Sequence, residues 1–255
     1  MNIHPTAIIE NGANIAEEVS IGAFAFIGKN VTIGSGSVIQ HHASVDGYTI
    51  LGENNVIFPY AFLGGQTQDL KYTGEQTGLE IGHHNIFREY VTIHGATNGR
   101  NITKIGHHNA FLAHAHVAHD CTVGDHVIVS SLAALAGHVI LGNYVNIAWN
   151  SGVHQFCRIG DYAMLAASSK TVMDILPFML AEGQPARTRY FNKLNLQRHQ
   201  FSEADIEHVK NIYRILFHSS KNHSEALVQL KCSQQTSKVY DTVIQAIESS
   251  QRGFC

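Results

Sequence analysis

The segment Ala113-His114-Ala115-His116-Val117-Ala118-His119-Asp120-Cys121 packs three imidazoles and a carboxylate into one short stretch of a chain that holds 18 histidines. Imidazole titrates near neutral pH, so it can take a proton from a hydroxyl and return it. A carboxylate, Asp120, directly follows His119. His138 and His154 lie further along, with Gly137 beside the first. Other histidines form doublets, His41-His42, His83-His84 and His107-His108, and read as solvated turn residues without assigned chemistry.

What must position these groups is a repeat of six. From Ile3 to Thr171 nearly every sixth residue is apolar, and only Asp69, Glu75, Gly99 and Thr171 break the series. Neither a helix nor a simple strand gives that period. Hexapeptide repeats predict a parallel β-helix of short flat strands and tight turns. Glycine often follows the apolar residue, as at Gly22, Gly34, Gly82 and Gly142, where a turn could demand positive φ. Four residues after the apolar one comes a small or β-branched side chain, Cys121 and Cys157 among them.

Three hexads per coil would stack residues 18 apart at the strand spacing of roughly 4.8 Å. Asp120 then lies over His138, His119 over Gly137, and His154 falls one coil from Ala136. His119 follows the interior Val117 by two, so its side chain should stand at a turn outside the prism. His119, His138, His154 and Asp120 are therefore expected on one corner.

Two stretches interrupt the coil, at about 64–80 and 94–104. Loops projecting from a rigid scaffold are a usual place for binding residues. After Thr171 the rhythm ends. Residues 1–171 are read as the coil, 172–200 as a transition, and 201–255 as a small helical domain. Ser202 looks like an N-cap before Ile206, Val209, Ile212, Tyr213 and Leu216 at helical spacing. A second helix is expected from Ser224 and a third through Val239, Val243 and Ile247.

Composition excludes several classes. No run of about 18 apolar residues is present, which argues against a transmembrane segment. The start enters the repeat at once, without signal-peptide character. The net charge of −3 argues against general nucleic-acid binding. The cysteines form neither a disulfide framework nor a metal knuckle.

Several strings go beyond the hexad. Ile3-His4-Pro5-Thr6-Ala7, Gln68-Asp69-Leu70-Lys71-Tyr72, Thr92-Ile93-His94, His116-Val117-Ala118-His119-Asp120-Cys121-Thr122-Val123-Gly124, Leu135-Ala136-Gly137-His138 and Val153-His154-Gln155-Phe156-Cys157 resemble the UDP-N-acetylglucosamine O-acyltransferases of lipid A biosynthesis. The similarity runs over nearly the whole chain. It implies a left-handed coil, a cytoplasmic homotrimer with sites between adjacent coils, and no cofactor or metal. It also implies transfer of a 3-hydroxyacyl chain from acyl carrier protein to the glucosamine 3-hydroxyl of UDP-N-acetylglucosamine. His119 matches the general base, Asp120 its orienting carboxylate, and the Gly137 backbone N–H the oxyanion donor. Asp69, Lys71, His116, His138, His154 and Gln155 match substrate-binding positions, and Asn192 and Arg198 match positions near the nucleotide. Ala167, with Met164 nearby, matches the floor of the acyl groove. The loop carrying Asp69 and Lys71 is expected to meet His119 of a neighbouring chain.

This sequence departs from the family pattern at Gly95-Ala96, Trp149, Leu194 and His199. Two alternatives share parts of the pattern. An N-acyltransferase acting on a UDP-3-amino sugar would use the same catalytic residues. A zinc carbonic anhydrase of the same coil fold would ligate metal through His114, His116 and His119, with one position open. Between Gly183 and Ser202 stand Arg187, Arg189, Lys193 and Arg198 and no acidic residue, a segment suited to docking an acidic carrier protein.

Overall fold

The computed structural model describes residues 2–99, 101–219, 221–233 and 237–255. Its strands stack as three parallel sheets forming a three-sided coil. The first sheet begins at Asn2–Ile3, the second at Ile8–Ile9 and the third at Asn14–Ile15. Pairing runs from Ile3 to Ile21 and from Ile9 to Ile27, one coil apart. The sixth-residue side chains fill the interior: Ile27, Ile57, Leu63, Ile93 and Leu135 have no exposed surface. Phe87 and Phe111 stack inside at 5.1 Å.

Both interruptions leave the coil at the same corner, between the second and third sheets. An undisturbed coil pairs Ile3 with Ile21, whereas Ile57 reaches on to Phe87, and Phe87 to Phe111. The first loop thus adds two hexads to its coil and the second adds one, which keeps the apolar phase. Buried asparagines brace these coils: the Asn85 amide donates to Asn55 Oδ1 at 2.9 Å, and the Asn109 N–H to Asn85 Oδ1 at 2.9 Å.

The hexad glycines serve a purpose other than the one expected. Left-handed φ falls three residues after the interior one, at Asp120 (59°), His138 (61°) and Phe156 (64°). Asp and His tolerate that region better than most residues. Gly34 instead lies where a Cβ would come within 2.6 Å of the Gly52 backbone, so the missing side chain lets successive coils close up.

The segment 172–200 carries more structure than a transition. Met179–Gly183 adds a last parallel strand to the first sheet, and Ala186–Phe191 folds back on it. Among the described residues four helices follow: α1 (Lys193–Arg198), α2 (Glu203–Phe217), α3 (His223–Cys232) and α4 (Lys238–Ser249). Ser202 caps α2 by accepting from the Asp205 N–H. The second of the expected helices starts earlier than Ser224, because Asn222 and Glu225 form a reciprocal capping box. Ile206, Val209, Ile212 and Leu216 are buried and join the hydrophobic core that runs on from the coil.

Candidate active site

Asp120 stands at a turn of the corner from which both loops emerge. Its Oδ2 accepts from His119 Nδ1 at 2.8 Å and from the Thr97 N–H at 3.1 Å; its Oδ1 accepts from the Asn101 amide at 3.1 Å. The Asp120 side chain is only 5% exposed. Burial works to raise its pKa, but the hydrogen bonds from His119, Thr97 and Asn101 and the nearby His138 outweigh it and hold the carboxyl below its ordinary range. An ionised carboxylate can only accept, so the His119 Nδ1 carries the hydrogen and Nε2 has the free lone pair.

One coil on, Gly137 lies against that ring. A Cβ there would come within 2.5 Å of His119 Cε1 and 2.6 Å of Nε2. Among the described residues no protein acceptor takes the Gly137 N–H. His138 stacks on Phe156 at 4.5 Å, and its Nε2 lies 3.9 Å from Asp120 Oδ2. A cleft of about 890 Å³ opens over this corner and the second-sheet face, lined by Asp69, Lys71, His116, His119, Gly137, His138, His154 and Gln155 among others. Small side chains, Ala118, Ala134 and Gly152, line the same cleft.

The loops are held locally. Thr67 and Thr97 hydroxyls bond at 2.8 Å and tie one loop to the other. Asp69 accepts from the Lys71 N–H at 3.0 Å, which shapes the turn that presents the exposed lysine. His116 Nδ1 lies 2.8 Å from Thr92 Oγ1. Beneath it His94 is 6% exposed; burial first, then His116 and His119, lower its pKa to about 4. His94 is therefore neutral at pH 7. Thr97, Asn101 and buried His94 are the site groups that the sequence reading left without a role.

The structure divides the expected residues into two groups. The Asp69 and Lys71 loop shares its cleft with His119 of the same chain, because it leaves the coil at that same corner. The cleft at His119 is thus lined by the loop of its own chain, contrary to the expectation that a neighbouring chain supplies it. Asn192, Arg198 and Met164 lie elsewhere, in a second cleft of about 650 Å³ on the first-sheet face, with Tyr144, Asn146 and His199. Asn192 is buried there, its amide donating to the Tyr162 carbonyl at 2.8 Å. Ala167 is exposed at the corner between the first and second sheets and lines neither cleft. Within one chain the His114, His116 and His119 set weighed for a zinc carbonic anhydrase does not converge: His114 stacks on Tyr90 at 4.8 Å, at the corner between the first and second sheets. Nor does Cys121 offer the site a thiol nucleophile, since burial pushes its pKa up to about 12.

Known proteins resemble this chain over nearly its whole length. The family model described as UDP-N-acetylglucosamine O-acyltransferase, domain 2, matches residues 174–255. An acyl carrier protein-dependent UDP-N-acetylglucosamine O-acyltransferase of Burkholderia lata is 43% identical, covering 99% of this chain and 98% of its own. The chain belongs to the UDP-N-acetylglucosamine O-acyltransferase family. The crystal structure of such an enzyme from Moraxella catarrhalis superposes with a TM-score of 0.96 at 41% identity, over 100% of this chain and 99% of that one. The corresponding Arabidopsis structure gives 0.90 at 31% identity, covering 99% of each chain. A coil of the opposite hand could not superpose at such scores, so this one shares the left-handed sense of the family. The match extends through the helical segment at 201–255.

Proposed function

We propose that the protein transfers a 3-hydroxyacyl chain from acyl carrier protein to the 3-hydroxyl of UDP-N-acetylglucosamine, the first step of lipid A biosynthesis. The observation that carries this reading is the His119–Asp120 pair, pressed against Gly137 in a cleft lined with small side chains. His119 Nε2 removes the sugar hydroxyl proton as that oxygen attacks the thioester carbonyl. The Gly137 N–H faces the developing oxyanion and stabilises it. Collapse breaks the carbon–sulfur bond, and the departing phosphopantetheine sulfur takes the proton back from His119. Asp120 holds the ring in the required tautomer throughout. Asp69, Lys71, His116, His138, His154 and Gln155 bind the substrates around this centre. The acyl group arrives on its carrier, so the proposed steps use no cofactor or metal. Incubating purified protein with a ladder of 3-hydroxyacyl carrier proteins and either UDP-N-acetylglucosamine or its 3-amino analogue tests the reading. Ester formation on the first acceptor is expected; transfer to the amino sugar alone would replace it with N-acylation.

We infer a homotrimer that completes the site. Ile8 and Phe62 on the second sheet are exposed, as are Ile86 and Ile128 on the first and Phe24, Tyr60, Tyr90, Leu132 and Trp149 at the corner between. Apolar patches of that extent mark association surfaces. Packing the second-sheet face of one subunit on the first-sheet face of the next, with that corner at the axis, brings Arg198 of one chain toward His119 of its neighbour. Met164 and Ala167 then lie along the buried acyl path. Residues 1–171 form the trimerising coil, 172–200 the turn back onto it, and 201–255 a helical cap. Mixed trimers of His119→Ala and Arg198→Ala chains should recover activity that neither parent has. Lys71→Ala mixed with His119→Ala should recover none, because each cleft takes both groups from one chain and every chain in that mixture lacks one of them. Equal recovery in both mixtures would break the assignment.

No helix among the described residues is long and apolar enough to cross a membrane. We place the enzyme in the cytoplasm, where its carrier protein would deliver the acyl group. Docking of that acidic partner falls on the basic segment, with one adjustment. Arg189 Nε lies 3.8 Å from Glu182 across the hairpin, so its charge is partly answered within the chain. Arg187 and Lys193 are exposed and better placed to attract a carrier. Arg187→Glu with Lys193→Glu should raise the apparent KM for carrier protein far more than that for the sugar nucleotide. The difference should shrink as salt shortens the screening length to about 8 Å or less. Unchanged carrier kinetics at low salt would make the segment a connector.

A further inference from the structure

We propose that His119, Asp120 and His138 form a binding site for one transition-metal cation of the zinc type, and that occupancy switches the acyltransferase off. The switching part rests on the acyl-transfer reading above; the site itself does not.

One ligand atom from each of the three residues lies within 4.8 Å of the others. The contacts from Asp120 Oδ2 are 2.8 Å to His119 Nδ1 and 3.9 Å to His138 Nε2. Tetrahedral zinc with bonds of roughly 2.1 Å sets its ligands about 3.4 Å apart. The first contact must open and the second close, each by about half an ångström, well within side-chain rotation. The remaining support is already built. Thr97 and Asn101 donate to the Asp120 carboxylate, and Phe156 holds the His138 ring at an interplanar angle of 5°. Such outer contacts orient ligands and raise affinity. Both imidazoles line the cleft, which leaves a fourth position for water.

The chemical consequence follows from the tautomer. In the free dyad Nδ1–H donates to Asp120 and Nε2 is bare. A metal on Nδ1 displaces that hydrogen, which moves to Nε2 of the neutral ring, so no net proton is released. Nε2–H can no longer accept the sugar proton. The metal therefore removes the base without reaching the substrates' binding residues on the loops.

Chelator-treated full-length protein titrated with zinc chloride in a calorimeter, with acyl transfer measured in parallel, tests the proposal. One saturable site per chain is expected, with inhibition tracking its occupancy and EDTA restoring turnover. His138→Ala and Asp120→Asn should each weaken binding by about tenfold or more. His108→Ala, in the stacked column His84–His108–His126, should not change it. Absence of a saturable isotherm, or binding that His138→Ala leaves unchanged while His108→Ala weakens it, would overturn the site. Binding as expected with no loss of turnover would overturn the switch. Zinc-free protein that binds the metal yet transfers no acyl group would count against the acyl-transfer reading instead.

Discussion

Replacing His119 by alanine should lower turnover by about 100- to 10,000-fold, the usual loss on removing a general base. The coil should survive. The side chain sits on a turn, 15% exposed and outside the packed interior. Its hydrogen bond goes to Asp120, which still accepts from Thr97 and Asn101. Steady-state turnover at saturating substrates, beside a thermal melt, separates the two effects. Near-wild-type turnover in a folded His119→Ala protein would remove the proposed mechanism. Asp120→Asn should be milder, since it disturbs orientation and charge support while leaving the imidazole in place.

Gly137→Ala should be nearly as damaging, although it adds a single methyl group. That carbon would stand 2.5 Å from His119 Cε1. The backbone here is tied into the coil, with the Gly137 carbonyl accepting from the Phe156 N–H at 3.1 Å. The ring must therefore yield, and swinging it off Asp120 takes Nε2 out of line with the sugar hydroxyl. Misplacement of a reacting group by about 1 Å can cost roughly 100-fold. The expected signature is a fall in kcat with unchanged oligomeric state and melting temperature. A Gly137→Ala enzyme of ordinary activity would show that the ring and this backbone do not meet during the reaction.

The coil was legible because its period is a direct consequence of its shape. An interior that admits one large side chain per face leaves a sixth-residue signal that no loop obscured for long. The stacking of Asp120 on His138 and of His119 on Gly137 followed from that count alone. Other features depend on contacts that periodicity does not carry. Thr97 and Asn101 reach Asp120 from a loop whose path has no repeat. His94 looks like any residue near a strand end until the coil above buries it. The glycine column was visible, but its cause was not, because a backbone contact between coils leaves the same trace as a left-handed turn. Arg198 and Asn192 resembled one group in sequence, yet Asn192 is occupied holding α1 to the Tyr162 carbonyl. Chain assignment at the cleft was also beyond the sequence, since a repeat gives positions along one prism and not around an axis.

The two interruptions bear on how such a protein can change. Pairing between neighbouring coils normally closes three hexads, as from Ile3 to Ile21, and the longer excursion raises that to five, from Ile57 to Phe87. On the logarithmic scaling of closure entropy, the difference is only about half a kcal/mol. The coils that carry the excursions rest on their immediate neighbours, so a longer or shorter excursion is felt locally and does not propagate along the stack. Lineages of this enzyme can thus rewrite the segment that carries Asp69 and Lys71 at little thermodynamic penalty. The turn bearing His119 and Asp120 has no such latitude, being fixed in register by the coils on either side. Acceptor preference should accordingly drift through the excursions while the proton-transfer pair stays put.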